Sequence, residues 1–317
     1  MDNIPKLGIS SCLLGNKVRY DGRHKYDNWL VETLGRHVQY VAVCPETECG
    51  LPVPREPMRL VGEVCKPRMV TVNSGIDHTP RMLDWCSLTI ARLVEEELCG
   101  FVFKSKSPSC GLERVKVFPV GGGTGARKGT GIFACEFTRA FPLLPVEEEG
   151  RLQEPLLREN FIGRVFIMQR WLELKKQGLT PGAVMDFHHR HRLLLMSHSP
   201  DAYRALDKLL MEAQGHKPQD FAQTYLRLFM QAAARPATPA KHLKVLRHIM
   251  GCFKRELTPG EKAELLERIE AYRLGQQPLS VPLTLLGHYA RKYGKEHLNS
   301  QYYLNPDPRE LALREHI

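Results

Sequence analysis

The chain has 317 residues, with 45 Lys and Arg against 35 Asp and Glu, the composition of an ordinary soluble protein long enough for two cored domains. Its formal charge of +10 is unevenly placed: residues 1–150 hold 19 basic against 18 acidic side chains, and residues 151–317 hold 26 against 17. The opening MDNIPKLGISSC lacks the pattern of a signal peptide, and no stretch reaches the roughly 20 apolar residues of a membrane helix, so a cytoplasmic protein is expected. In that reducing compartment the nine cysteines are expected as thiols or metal ligands rather than disulfides.

Along the first half, strand-like runs alternate with helical patterns. LGISSCL is followed by a polar turn, a helix through DNWLVETLGR and a second run, VQYVAVCPE, which together read as one βαβ unit. After the Pro-rich GLPVPREP comes MVTVNSG, then a helix opening near Asp77 or Thr79 with Pro80 in its first turn. Its apolar positions Leu83, Leu88, Ile90, Leu93, Val94 and Leu98 are expected to pack on the sheet, with Gly100 ending the helix and FVFK forming the third strand. A Rossmann-like parallel sheet is expected over residues 1–148, with the boundary in VEEEGRLQEP, 146–155. From 149 to 317 strand patterning gives way to helical periodicity, which predicts a basic all-α domain. Thr258, Pro259 and Glu261 predict one capped helix start there.

Cys12, Cys44 and Cys110 each follow a stretch that reads as a buried strand. If those strands run parallel, their carboxyl ends share an edge and the thiols meet where open α/β sheets place their sites. Structural zinc wants four ligands, whereas three cysteines on a [4Fe–4S] cluster leave one iron without a protein ligand. Cys49 is a conceivable fourth ligand that would close the site as zinc or as a fully ligated cluster. Cys65, Cys86, Cys99 and Cys135 are read as structural. Glu46, two residues after Cys44, and Ser107, three before Cys110, could point into the same pocket. A carboxylate among apolar walls there could have a raised pKa and relay protons.

The glycine-rich VGGGTGARKGTG fits neither the phosphate-loop nor the dinucleotide spacing and reads as a flexible connector, with Arg127 and Lys128 able to contact a polyanion. His188, His189, His191 and His198 are interleaved with Arg190 and Arg192 and read as a cationic helix face rather than a metal site. A second cationic cluster includes Arg247, Lys254 and Arg255, and Tyr289, Tyr293, Tyr302 and Tyr303 lie among further basic residues. Basic stretches with interspersed aromatics suit a nucleic acid, so RNA binding is expected of this half.

SSCLLGNKVRYDG, CPETECGLPVPR and KSKSPSCG resemble the three signatures of the thiouracil desulfurase family, and HHRHRLLLMSHSPDAYRAL with HIMGCFKREL, PLSVPLTLLGHY and LNSQYYLNPDPREL resemble the helical companion domain often fused to it. The fused architecture is similar to that of the bacterial tRNA 4-thiouridine desulfidases. The resemblance implies a [4Fe–4S] cluster on Cys12, Cys44 and Cys110, with Glu46 and Ser107 as the catalytic side chains. Cys49 departs from the family, which usually has glycine there. The implied reaction is non-redox removal of sulfur from thiolated tRNA, releasing sulfide. Free thiouracil, a thiouridine nucleoside or another small thiopyrimidine is the alternative substrate, and a non-catalytic iron–sulfur or zinc regulator that binds RNA is the alternative of another class.

Overall fold

The computed structural model describes residues 4–212 and 217–315. In chain order, the first half contains β1 (Lys6–Ser10), β2 (Gln39–Val43), the one-turn helix α1 (Pro45–Glu48), β3 (Met58–Glu63), β4 (Lys66–Thr71) and α2 (Thr79–Glu95), then β5 (Gly100–Phe103), β6 (Val115–Phe118), β7 (Ala126–Gly129), α3 (Ile132–Ala140) and β8 (Val146–Glu148). The strands form two sheets, ordered β2-β1-β5-β8 and β4-β3-β6-β7. In the first, every pairing is parallel, with Ser10 opposite Val43 and Ile9 opposite Val102, so the carboxyl ends of β1, β2 and β5 share one edge. Parallel strands covered on both faces are continuously apolar, and GFVF of β5 is buried throughout. Phe101, Phe103, Phe133 and Phe137 stack and tilt against one another beneath it, with ring centroids from 4.2 to 6.0 Å apart.

Several local expectations are corrected. The stretch around Trp29–Arg36 forms short π and 3-10 turns, not an α-helix. The buried stripe of α2 is Met82, Cys86, Thr89 and Leu93, whereas Leu83, Leu88 and Val94 are exposed. A small thiol and a threonine methyl fill this interface, so a stripe drawn through the large aliphatic residues falls on the wrong flank. The helix also stops at Glu95, and Gly100 is the first residue of β5. Cys65 lies exposed in the turn between β3 and β4 rather than on a packed face. The glycine-rich stretch is no loose connector: it closes the antiparallel β6–β7 hairpin, with Gly121, Gly122 and Gly123 at φ of 95°, 97° and 118°.

The chain divides into two units, Met1–Phe161 and Ile162–Ile317, later than the division expected after Glu148. The acidic run belongs to the first unit because its carboxylates have work there. Val146–Glu148 pairs with β5, and Glu148 Oε1 accepts from the amides of Leu112 at 2.8 Å and Glu113 at 3.2 Å. Glu147 Oε1 accepts from Arg151 Nε at 2.6 Å.

The remaining helices are α4 (Pro155–Gln177), α5 (Pro181–His198), α6 (Pro200–Met211), α7 (Pro218–Ala233), α8 (Pro239–Gly251), α9 (Pro259–Arg273), α10 (Ser280–Lys292), α11 (Glu296–Asn299) and α12 (Pro308–Glu315). No helix among the described residues is long and apolar enough to cross a membrane. The second unit is cored by Phe187, Tyr225 and Phe229, against which Trp171 packs. His188 and His191 are buried in it, and burial lowers the pKa of both, so this part of α5 is not the cationic face expected. His188 lies between Tyr225 OH at 3.1 Å and Asp207 Oδ1 at 3.2 Å. Tyr289 and Tyr303 are also buried and cannot stack on bases.

The expected cap of α9 forms a full capping box, with Thr258 Oγ1 accepting from Glu261 N at 3.3 Å and Glu261 Oε2 from Thr258 N at 2.8 Å. Lys292 Nζ at 2.5 Å is the leading cause that lowers the Glu261 pKa to about 2, with the Thr258 and Tyr293 hydrogen bonds adding to it. A carboxyl depressed on folding contributes stability that is present above its unfolded pKa and lost as pH falls through the folded one. The thermal midpoint is therefore expected to drop between about pH 4.5 and pH 2, and Glu261→Gln should flatten that part of the profile. An unchanged slope in the variant would assign the acid sensitivity to other carboxyls.

Candidate active site

All three sequence-selected cysteines stand at the carboxyl edge of the first sheet. Cys12 lies in the 3-10 turn Ser11–Leu14 directly after β1. Cys44 is the cap between β2 and α1, where Pro45 at the first helical position turns the chain. Cys110 ends the turn that begins at Ser107, whose Oγ accepts from the amides of Ser109 and Cys110, each at 3.2 Å. That turn is clamped by the start of α3: Gly131 N donates to Gly111 O at 2.7 Å and Ile132 N to Pro108 O at 3.1 Å. A Cβ at Gly131 would stand 2.5 Å from the Ser109 carbonyl, and one at Gly111 would stand 2.4 Å from Val115 Cγ2, so glycine is required at both places.

The three cysteines line a cavity of about 730 Å³ together with Glu46, Ser107, Ser109, Arg55, Lys104 and Glu149. Burial raises the pKa of all three thiols: Cys12 to about 11, Cys44 above its ordinary value and Cys110 well above it. The charges of Cys12 and Cys44 raise Cys110 further, and that of Cys44 raises Cys12, while Lys104 and Arg19 pull Cys12 the other way. Thiols kept from ionising by burial and mutual repulsion become thiolates against added positive charge, which is the condition a metal centre supplies. Among the described residues no group of three His, Cys, Asp or Glu side chains is set to hold a single ion. A cluster bonds each cysteine through a different iron, so its ligands need not meet at one point. The donor set, all thiols and three in number, suits a cluster better than a closed zinc site.

Glu46 projects from α1 into the same cavity, but its surroundings are polar rather than apolar. Arg55 donates to Glu46 Oε2 from Nε at 2.9 Å and from Nη2 at 2.5 Å. The other oxygen, Oε1, accepts from Ser109 Oγ at 2.7 Å and from Ser107 Oγ at 3.4 Å. Ser107 and Ser109 hydroxyls lie 2.9 Å apart, and Ser109 Oγ is 3.8 Å from Cys110 Sγ. Arg55 also donates to the Val18 carbonyl at 2.9 Å, which ties the Cys44 helix to the loop after Cys12. Also lining the cavity, Lys104 Nζ is bound to Glu149, and Glu149 Oε2 accepts from Ser105 N at 2.7 Å.

Cys49 does not line this cavity. Its thiol donates to the Glu46 carbonyl at 3.3 Å and packs against the apolar core. Sequence reasoning missed Arg55, Ser109, Lys104 and Glu149. Arg55 and Lys104 lie within the segments that carry the cysteine signatures, but no spacing rule ties an arginine to a carboxylate nine residues away. Arg247 on α8, with Lys254 and Arg255 just beyond it, is exposed in the second unit.

The model of the 2-thiouracil desulfurase family matches residues 7–149, and that of a protein family of unknown function, DUF1722, matches residues 192–308. The uncharacterized protein YbgA of Escherichia coli (strain K12) is 34 % identical over 152 residues, which are 48 % of this chain and 90 % of YbgA. The uncharacterized protein YbbK of Bacillus subtilis (strain 168) is 31 % identical over 108 residues, 32 % of this chain and 71 % of YbbK. The solved structure of TudS, described as a [4Fe–4S]-dependent thiouracil desulfidase, is 34 % identical with a TM-score of 0.39, covering 47 % of this chain and 94 % of its own.

Proposed function

The chain belongs to the 2-thiouracil desulfurase family, joined to a DUF1722 domain, and from that premise we propose that it removes sulfur from 4-thiouridine in tRNA, giving uridine and sulfide. The observation that carries the reading is the single cavity holding Cys12, Cys44, Cys110 and the Glu46 carboxylate. The three cysteines would hold a [4Fe–4S] cluster, which when bound supplies a soft Lewis-acidic iron suited to a thiocarbonyl sulfur.

The protein's own groups account for the proton movements of a hydrolysis in which a C–O bond forms, the C–S bond breaks and no electrons are exchanged. Arg55 holds Glu46 Oε2, leaving Oε1 toward the serines as the atom that takes a proton from water and returns it to the departing sulfur. Ser107 Oγ accepts from two amides and turns its hydrogen toward Glu46 Oε1 at 3.4 Å, a long contact that it would exchange to orient substrate or water. Ser109 Oγ keeps Glu46 Oε1 aimed along this line. The base of a folded tRNA must leave its stack to reach such a cavity, and the basic helical unit is suited to gripping the backbone meanwhile.

Free thiouracil or another small thiopyrimidine is the second reading, supported by the family's named substrate. A non-catalytic RNA-binding module would be favoured by a Cys49 ligand, and that thiol is directed at the core instead. The deciding experiment is anaerobic reconstitution with iron and sulfide, followed by incubation with thiolated tRNA and with free 4-thiouracil. Bound iron is expected in wild type and Cys49→Ala and lost in Cys12→Ala, Cys44→Ala and Cys110→Ala, with sulfide released faster from tRNA. Faster release from the free base would put the small-substrate reading first.

A further inference from the structure

We propose that a row of cations across the second sheet of the first unit, Arg59 on β3, Lys116 on β6 and Arg127 on β7, binds the phosphates of the RNA strand whose thiolated base enters the thiol cavity. This deepens the tRNA reading and rests on it. Lys116 is directly opposite Arg127 across the β6–β7 pair. Leu60 pairs with Val117 in the parallel β3–β6 ladder, which sets Arg59 beside Lys116 one residue earlier on both strands. Adjacent strands lie about 4.8 Å apart, so three positive charges stand in one line. Leu60 and Val117 are buried, and the alternation of side chains turns Arg59 and Lys116 to the other face.

Cross-strand pairing does not favour this row, because like charges directly opposite one another weaken a strand pair. An anion lying across the three strands reverses the sign of that effect. The row lines a cleft of about 630 Å³ with Lys106, Arg114 and Arg151, against only two carboxylates. Both carboxylates are committed: Glu113 pairs with Arg151 at 3.3 Å, and Glu148 accepts the amides of Leu112 and Glu113. Arg59 leaves its buried Nε without a hydrogen-bond partner, and its guanidinium lies 5.3 Å from the centroid of Phe118. An anion above the row would meet one half-buried guanidinium and two exposed cations, none of them paired with a carboxylate in the cleft.

The cleft's position gives the row its use. Met58, Ser105, Lys106 and Pro108 line both this cleft and the thiol cavity, so a strand crossing the row passes beside the place where a flipped base would react. The near-zero charge balance of the first half therefore hides a segregated surface, and phosphate contact is not confined to the basic helical unit.

The test is binding of fluorescently labelled, thiolated tRNA to the full chain, measured by anisotropy over a series of salt concentrations. Lys116→Glu and Arg127→Glu should each weaken binding severalfold and reduce the salt slope by about 1. Lys66→Glu, the same charge change on the outer strand β4, should alter neither. To separate charge from any disturbance of the hairpin, Lys116→Gln is the second variant: relief of the like-charge pair should raise the thermal midpoint while RNA affinity falls, a divergence that a structural role would not give. Wild-type affinity and slope in Lys116→Glu and Arg127→Glu, or equal weakening by Lys66→Glu, would overturn the proposal and leave the tRNA reading standing. A wild-type chain that does not bind tRNA at all would overturn both.

Discussion

Glu46→Gln is expected to keep its bound iron and its thermal midpoint while turnover falls by about 10²–10⁴-fold, the usual contribution of general acid–base catalysis. Glutamine is the informative replacement because the carboxylate is also structural. Arg55 is almost wholly buried and donates twice to Glu46 Oε2. Alanine would strand that guanidinium, and breaking a buried pair from one side typically costs about 3–5 kcal/mol. The amide oxygen of glutamine can still accept both Arg55 bonds at the Oε2 position, and its NH2 at the other position can donate to Ser109 Oγ, so the anchoring of Arg55 survives while proton exchange at Oε1 is lost. Iron content by absorbance, unfolding midpoint and sulfide release are read on the same sample. Wild-type sulfide release from iron-loaded Glu46→Gln would remove Glu46 from the chemistry and leave it as the anchor of Arg55.

The parts legible in the sequence were those with strong patterning of their own. β1, β2 and β5 are short apolar runs followed by turn residues, and parallel pairing brings the thiols that follow them to one edge. The second sheet was not legible. VKVF and ARKG are four-residue strands with charged side chains, and their pairing is decided by the glycine turn between them and by β3, which lies over fifty residues earlier. Glu147 and Glu148 show the same limit: the run of three glutamates reads as part of a domain boundary, yet both residues are buried once Arg151 and two loop amides supply their partners.

In the site, the ligating candidates and Glu46 were marked by local sequence, while the groups that orient them come from elsewhere in the fold. Ser109 is adjacent to Cys110 and Ser107 is two residues further back, and local reasoning placed only the latter in the pocket with Glu46. The shorter hydrogen bond belongs to Ser109, because the α3 clamp at Gly131 fixes which hydroxyl faces α1. Two histidines of α5, His188 and His191, were misread for a related reason. Their neighbours in sequence are arginines, but their neighbours in space are Phe187, Tyr225 and Phe229, and burial lowers the pKa of both.

Reversal of Arg247, Lys254 and Arg255 to glutamate together is expected to weaken thiolated tRNA binding steeply and to cut its desulfidation far more than that of free 4-thiouracil. The three side chains are exposed on and just after α8, whereas Tyr289 and Tyr303 are buried and cannot serve as stacking platforms. On the tRNA reading, these three residues would contribute to recognition through charge. Each phosphate contact contributes about 0.7–0.9 to the slope of log affinity against log salt, so losing up to three should lower it by about 2–3. A neutral small substrate releases no counterions and should show no such slope. Charge reversal is preferable to truncation at the acidic run, since a chain ending at Glu148 would lose the Glu149 carboxylate that binds Lys104 and Ser105 on the cavity wall. Equal losses on tRNA and on the free base would mean that the helical unit supports the first unit rather than recognising RNA. A loss on tRNA with the salt slope unchanged would mean that these three residues act through the fold of their own helices and not through phosphate.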